Sequence, residues 1–278
     1  MDVGTRSYTG PMTSPVTLPR LSWGAREAPR RALLVHGLGS SGALMWRLGV
    51  ALADAGWRAD AVDLRGHGSA PRALDYTVAA FAADLSDTRP DGKGSDAATE
   101  DSASSAPGMP WDAVIGHSLG GAASVVASAD DADWTRRLVL IDPGLVVLQR
   151  DAEIVRASQK RAFDDNRIDV VRADHPDWHP HDLELKIDAV TCASRWAVEQ
   201  TSAQNQPWDV RDAAARVRVP THVLGGDPAV YSLFTGEVAE GVLDANPLFT
   251  MSIVEGAGHS PHRDRPGAFL HQLLGVLA

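Results

Sequence analysis

The chain has 278 residues, 44% of them apolar, and a formal net charge of −10. That length fits one large α/β domain or two small ones with an ample core, and the acidity, without basic clusters, argues against a nucleic-acid or anionic-membrane partner. A single cysteine, Cys192, excludes an internal disulfide and a cysteine-based metal site.

Residues 1–21 lack the apolar core of a secretory signal, and no apolar run approaches the roughly 18 residues of a membrane span. A cytoplasmic protein is expected. Residues 1–15 read as a loose arm and 16–23 as an edge strand. The run Ala32-Leu33-Leu34-Val35 before His36-Gly37 reads as a strand buried on both faces of a parallel sheet. A flexible loop, 38–42, leads to a helix over 43–55 closed by Gly56. A second buried strand covers 57–63 and a helix 77–87. Residues 88–110 are acidic, of low complexity and almost free of large apolar side chains; they read as a loop within the core, an incidental insertion rather than a lid.

A short apolar run then ends in Gly116-His117-Ser118-Leu119-Gly120, followed by a small-residue helix. This is G-x-S-x-G between strand and helix, the pattern of a nucleophile elbow. The turn forces its serine into an unfavourable backbone conformation, and Gly116 and Gly120 remove the side chains that would collide there. A further strand, 137–144, carries Asp142 near its end. The strand–helix rhythm then breaks over 145–208, a charged, helix-compatible stretch read as a helical cap over the sheet. The rhythm resumes with a helix (209–217), a strand ending at Asp227, a helix (231–245), a strand (249–254), a loop carrying His259 and a closing helix (265–277). Strands alternating with helices predict an α/β fold with a mostly parallel, doubly wound sheet. Its core is assigned to 1–144 and 209–278.

A serine hydroxyl needs a base, and the base needs an orienting anion. The chain offers Ser118, Asp227 and His259 in that order, each just past a strand. Asp142 is the rival acid. Like Asp227, it ends a strand. His36 and His67 read as structural, His117 as core-facing, and His262 as a weaker competitor of His259. The cluster His175, His179 and His181 with its acidic neighbours fits no tight metal template, so no metal is assigned.

Taken together, His36-Gly37-Leu38-Gly39, Asp63-Leu64-Arg65-Gly66-His67-Gly68-Ser69, Gly116 to Gly121, Gly226-Asp227 and Gly258-His259 resemble the α/β-hydrolase superfamily. The resemblance spans 31–278 and implies a cap inserted after the strand ending at Asp142. It implies Ser118 as nucleophile, His259 as base and then acid, Asp227 as orienting carboxylate, and an oxyanion hole from the backbone N–H groups of Leu38 and Leu119. The implied reaction is cofactor-free hydrolysis of a small to medium carboxylic ester, a small-molecule substrate, through an acyl-enzyme. A lactonase, thioesterase, C–C hydrolase or perhydrolase is the alternative, and a non-catalytic receptor a lesser one. Trp46, Trp178 and Trp196 are candidate pocket residues. If one of the cap cations Arg156, Lys160, Arg161, Arg167, Arg172, Lys186 or Arg195 faces inward, the ester carries a free carboxylate, as in a diacid monoester.

Overall fold

The structure, a computed structural model, describes residues 14–91 and 109–278. The reading of a loose N-terminal arm lies almost wholly outside the described residues, as does most of that of a loop over 88–110.

Seven strands form one sheet: β1 (Arg20–Trp23), β2 (Arg30–Val35), β3 (Trp57–Val62), β4 (Ala113–His117), β5 (Leu138–Ile141), β8 (Thr221–Gly225) and β9 (Phe249–Ile253), in the order β1-β3-β2-β4-β5-β8-β9. Among the described residues, β1 is the only strand of this sheet that runs antiparallel to its neighbour. The central strands are apolar on both faces because helices cover both. Leu33, Val35, Val114, Leu138 and Leu140 pack with α2 (Val78–Ser86), α3 (Leu119–Asp130), α8 (Arg211–Arg216) and α9 (Gly236–Ala245). The alternate residues, Ala32, Leu34, Ile115, Val139 and Ile141, pack with α1 (Trp46–Asp54) and α11 (Pro266–Leu277). Period-two alternation thus feeds two cores from the same strands.

The 145–208 segment leaves and re-enters at one place. Strand β6 (Val146–Val147) pairs antiparallel with β7 (Trp208–Asp209), and the Trp208 indole N–H donates to the Gly144 carbonyl at 2.7 Å. Between them run α4 (Gln149–Asp164), α5 (Ile168–Asp174), α6 (Pro180–Cys192) and α7 (Arg195–Gln204). The segment is tied down by Trp46 and Arg47, which bond the buried Asp182 of α6 at 2.8 and 2.7 Å.

One expected element is shorter than its sequence implies. The helix anticipated over 231–245 begins only at Gly236. Residues 231–235 form a loop instead, and their polar groups are spent on the end of β5.

Candidate active site

Ser118 sits between β4 and α3 with φ +51° and ψ −116°, in the left-handed half of backbone space. Such strain persists only where its surroundings fix it. A Cβ on Gly120 would come within 2.5 Å of the His36 carbonyl oxygen, and one on Gly116 within 2.7 Å of the Gly120 oxygen. Only glycine lets α3 turn back this tightly, so these residues dictate the position of Ser118.

The Ser118 Oγ lies 3.0 Å from His259 Nε2. His259 Nδ1 lies 2.6 Å from Asp142 Oδ2, so the carboxylate that meets the imidazole is that of Asp142, not Asp227. A carboxylate only accepts; Nδ1 therefore carries the proton, and Nε2 is left to accept from the serine. Asp142 has φ +37° and is fully buried. It also accepts from Ser232 Oγ at 2.6 Å, Leu233 N at 3.1 Å and Phe234 N at 3.3 Å. Burial opposes its ionisation, but the hydrogen bond and charge of His259, with those from Ser232 and Leu233, hold its carboxyl below the usual carboxylate range.

Asp227 stands one strand away and faces elsewhere. Its Oδ2 accepts from Gly256 N and its Oδ1 from Ala229 N, both at 2.9 Å. These bonds fold the loop after β8 and brace the loop that carries His259. No bond joins Asp227 to the imidazole. Both its oxygens are engaged by backbone N–H groups, while the 231–235 loop wraps Asp142.

Two buried histidines fasten the loop that faces Ser118. His36 Nδ1–H donates to the Gly37 carbonyl, and its Nε2 accepts from Leu64 N at 3.1 Å. His67 Nδ1–H donates to the Arg65 carbonyl, and its Nε2 accepts from Gly39 N at 3.1 Å. Burial, with His67 nearby, pushes His36 down to about 3, and burial lowers His67 too. Both are neutral scaffold groups. Leu38, between Gly37 and Gly39, lines the space beside Ser118 together with Leu119, whose N–H opens α3 and has no intrahelical acceptor.

Two cavities meet at Ser118 and Leu38. The smaller, about 30 Å³, is walled by Leu119, Gly144, Val147, Val155, Trp208 and Leu233. The larger, about 360 Å³, takes in His117, His259, Gln159, Trp178, Lys186 and Arg263.

The model of the alpha/beta hydrolase family matches residues 32–272. The chain belongs to the alpha/beta hydrolase family. Among solved structures, this hydrolase is similar to N-formylmaleamic acid deformylase from Pseudomonas putida S16, at 19% identity, 92% of this chain, 94% of that one and a TM-score of 0.72. It is also similar to E-2-(acetamidomethylene)succinate hydrolase, at 21% identity, 94% of each chain and a TM-score of 0.73. An esterase from Exiguobacterium antarcticum matches at 17% identity, 94% and 95% coverage and a TM-score of 0.71. At these identities the likeness concerns the fold. No curated protein matches the chain.

Of the three tryptophans, the hydrolase brings only Trp178 to the larger cavity. Trp46 gives its indole N–H to Asp182 and packs edge-on to His181, and Trp196 is 46% exposed against Tyr76. Neither lines the space beside Ser118, because each is engaged in fixing the 145–208 segment. His262 is buried against His117 and Phe269, away from the serine. His117 Nε2–H donates to the His259 carbonyl at 2.9 Å, and burial, then repulsion from His259 and Arg263, depresses its pKa well below the ordinary value. Among the described residues no group of three or more His, Cys, Asp or Glu side chains is placed to hold a metal. None of their helices is long and apolar enough to cross a membrane.

Sequence reasoning missed Ser232 and Arg263. Ser232 carried no signal, being read into a helix. Arg263 lies only four residues past His259, and the turn of α10 (Pro261–Asp264) returns it to the cavity.

Proposed function

We propose that this alpha/beta hydrolase cleaves carboxylic esters through an acyl-enzyme on Ser118, with His259 as base and acid and Asp142 as the orienting carboxylate. The observation that carries the reading is the continuous Ser118–His259–Asp142 chain at 3.0 and 2.6 Å. Ser118 Oγ bonds to the ester carbonyl carbon as its proton passes to His259 Nε2. The carbon–alkoxy bond breaks, and that proton leaves with the alcohol. Water then adds to the acyl carbon, one proton returns through His259 to Ser118, and the acid departs. Asp142 holds the tautomer throughout and offsets the imidazolium charge.

The N–H groups of Leu38 and Leu119 are assigned the developing oxyanion. His67, holding Gly39 N, supports Leu38 in place. Each oxyanion donor is worth about 2.7–4 kcal/mol in the transition state. The 145–208 segment acts as the cap, supplying Val155, Gln159 and Trp178 to the cavities over Ser118. An esterase and a deformylase among the structural neighbours support acyl hydrolysis as chemistry this fold carries out.

The test is the rate on p-nitrophenyl butyrate, wild type against Ser118→Ala. The variant is expected to lose at least about 10,000-fold in kcat. A wild-type rate that survives the substitution contradicts the reading.

A further inference from the structure

Arg263 is 5% exposed and lines the larger cavity, with its guanidinium over the Trp178 ring at 5.1 Å. Its Nη1 reaches Ser260 Oγ at 3.5 Å, while Nε and Nη2 have no partner among the described residues. Lys186 lines the same cavity, and among the described residues its ammonium makes one hydrogen bond, to the Gly39 carbonyl at 3.0 Å. Burial, then the neighbouring Arg263, pushes Lys186 down to about 8, and burial lowers Arg263 to about 10. Two cations therefore share a desolvated space and repel each other. Leaving a buried guanidinium with unmet donors is costly unless an anion completes it.

The protein's own acids are largely committed. Asp182 is held by Arg47 and Trp46. Asp264 accepts from Trp178 Nε1 at 2.7 Å and from Gly258 N at 2.8 Å. At the rim, Asp174 is paired with Arg161 and Asp165 with Arg167. These acids temper the positive field, but none hydrogen-bonds Arg263 or Lys186.

The position of His259 orients the substrate. The imidazole must protonate the leaving oxygen, so the leaving alcohol extends on its side of Ser118. His259 belongs to the larger cavity and not to the small apolar one, whose 30 Å³ suits a short acyl chain.

Resting on the serine-esterase reading above, we infer that Arg263 and Lys186 form a carboxylate subsite, and that the substrate class is the short-chain acyl ester of a carboxylate-bearing alcohol. Arg263 and Lys186 each bring a positive charge to the wall of this cavity, where a carboxylate would offset their mutual repulsion. The hydrolysis consumes water and yields a short fatty acid and a hydroxy acid.

The experiment compares kcat/KM for 4-acetoxybutyrate with that for 4-acetoxybutyramide, its uncharged counterpart, and with that for ethyl hydrogen succinate, an isomer bearing its carboxylate on the acyl side. The wild type is expected to favour 4-acetoxybutyrate over both. The ratio of anionic to uncharged ester is expected to fall about 10- to 100-fold in Arg263→Met, and in Lys186→Met should the arginine variant fail to fold. A ratio the substitutions leave unmoved, or a preference confined to ethyl hydrogen succinate, overturns the inference. Calorimetric binding of 4-acetoxybutyrate to Ser118→Ala, with and without Arg263→Met, decides the subsite independently of turnover. Binding weakened at least about tenfold by Arg263→Met supports the subsite even if no ester is hydrolysed, and binding it leaves unchanged overturns it.

Discussion

Asp142 and Asp227 end adjacent parallel strands of one sheet, yet their surroundings differ. Asp142 is buried, bent into positive φ, and accepts from His259, Ser232, Leu233 and Phe234. Asp227 is half-buried and, among the described residues, accepts from backbone N–H groups at Gly256 and Ala229. Both carboxyls titrate below the ordinary range, Asp142 despite its burial and Asp227 through those two backbone bonds. A strand-terminal carboxylate thus gains its role from what the following loops deliver to it. The 231–235 loop delivers one hydroxyl and two amides to Asp142.

The two carboxylates are expected to differ most in turnover. With p-nitrophenyl butyrate as substrate, Asp142→Asn is expected to lower kcat about 10,000-fold, because the amide favours the wrong imidazole tautomer. Ser232→Ala, which removes the 2.6 Å donor to Asp142 Oδ1, is expected to cost about tenfold in kcat/KM. Asp227→Asn is expected to stay within about threefold of wild type in kcat, since it holds loops rather than the imidazole. Greater loss in Asp227→Asn than in Ser232→Ala would reverse the assignment.

Acid sharpens the same contrast. The folded Asp142 carboxyl titrates below its ordinary value of 3.8. The folded state therefore binds fewer protons than the unfolded chain there, and the stability contributed by this carboxylate is full above 3.8 and fades as the pH falls through the depressed value. Urea unfolding of wild type and Asp142→Asn is expected to show a constant stability difference between pH 5 and pH 7 that shifts below pH 4 in the direction of losing the wild-type contribution. A difference that stays flat to pH 2 would contradict it.

Much of this was legible in the sequence. The doubly buried runs around Leu33 and Val114 and the glycines around Ser118 follow from local sterics, so the sheet and elbow could be read directly. So could the scaffold roles of His36 and His67. The choice between Asp142 and Asp227 was not legible. It turns on residues 231–235 forming a loop rather than the first turn of α9, and propensity does not separate those states over five residues. Trp46 and Trp196, unlike Trp178, were misplaced as pocket residues for a similar reason. A sequence shows that Trp46 is large and apolar, but not that a carboxylate 136 positions later will claim its N–H. Lys186 could only be named as one of seven cations, because most of the others, such as Arg161 and Arg195, are satisfied at the surface.

The most direct test of the account is the rate at which a fluorophosphonate labels Ser118, located by peptide mass spectrometry, in wild type, Asp142→Asn and Asp227→Asn. It needs no knowledge of the natural ester. Rapid labelling of Ser118 in wild type and Asp227→Asn, with labelling slowed by orders of magnitude in Asp142→Asn, is the predicted result. Labelling that is slow in Asp227→Asn and normal in Asp142→Asn would contradict it.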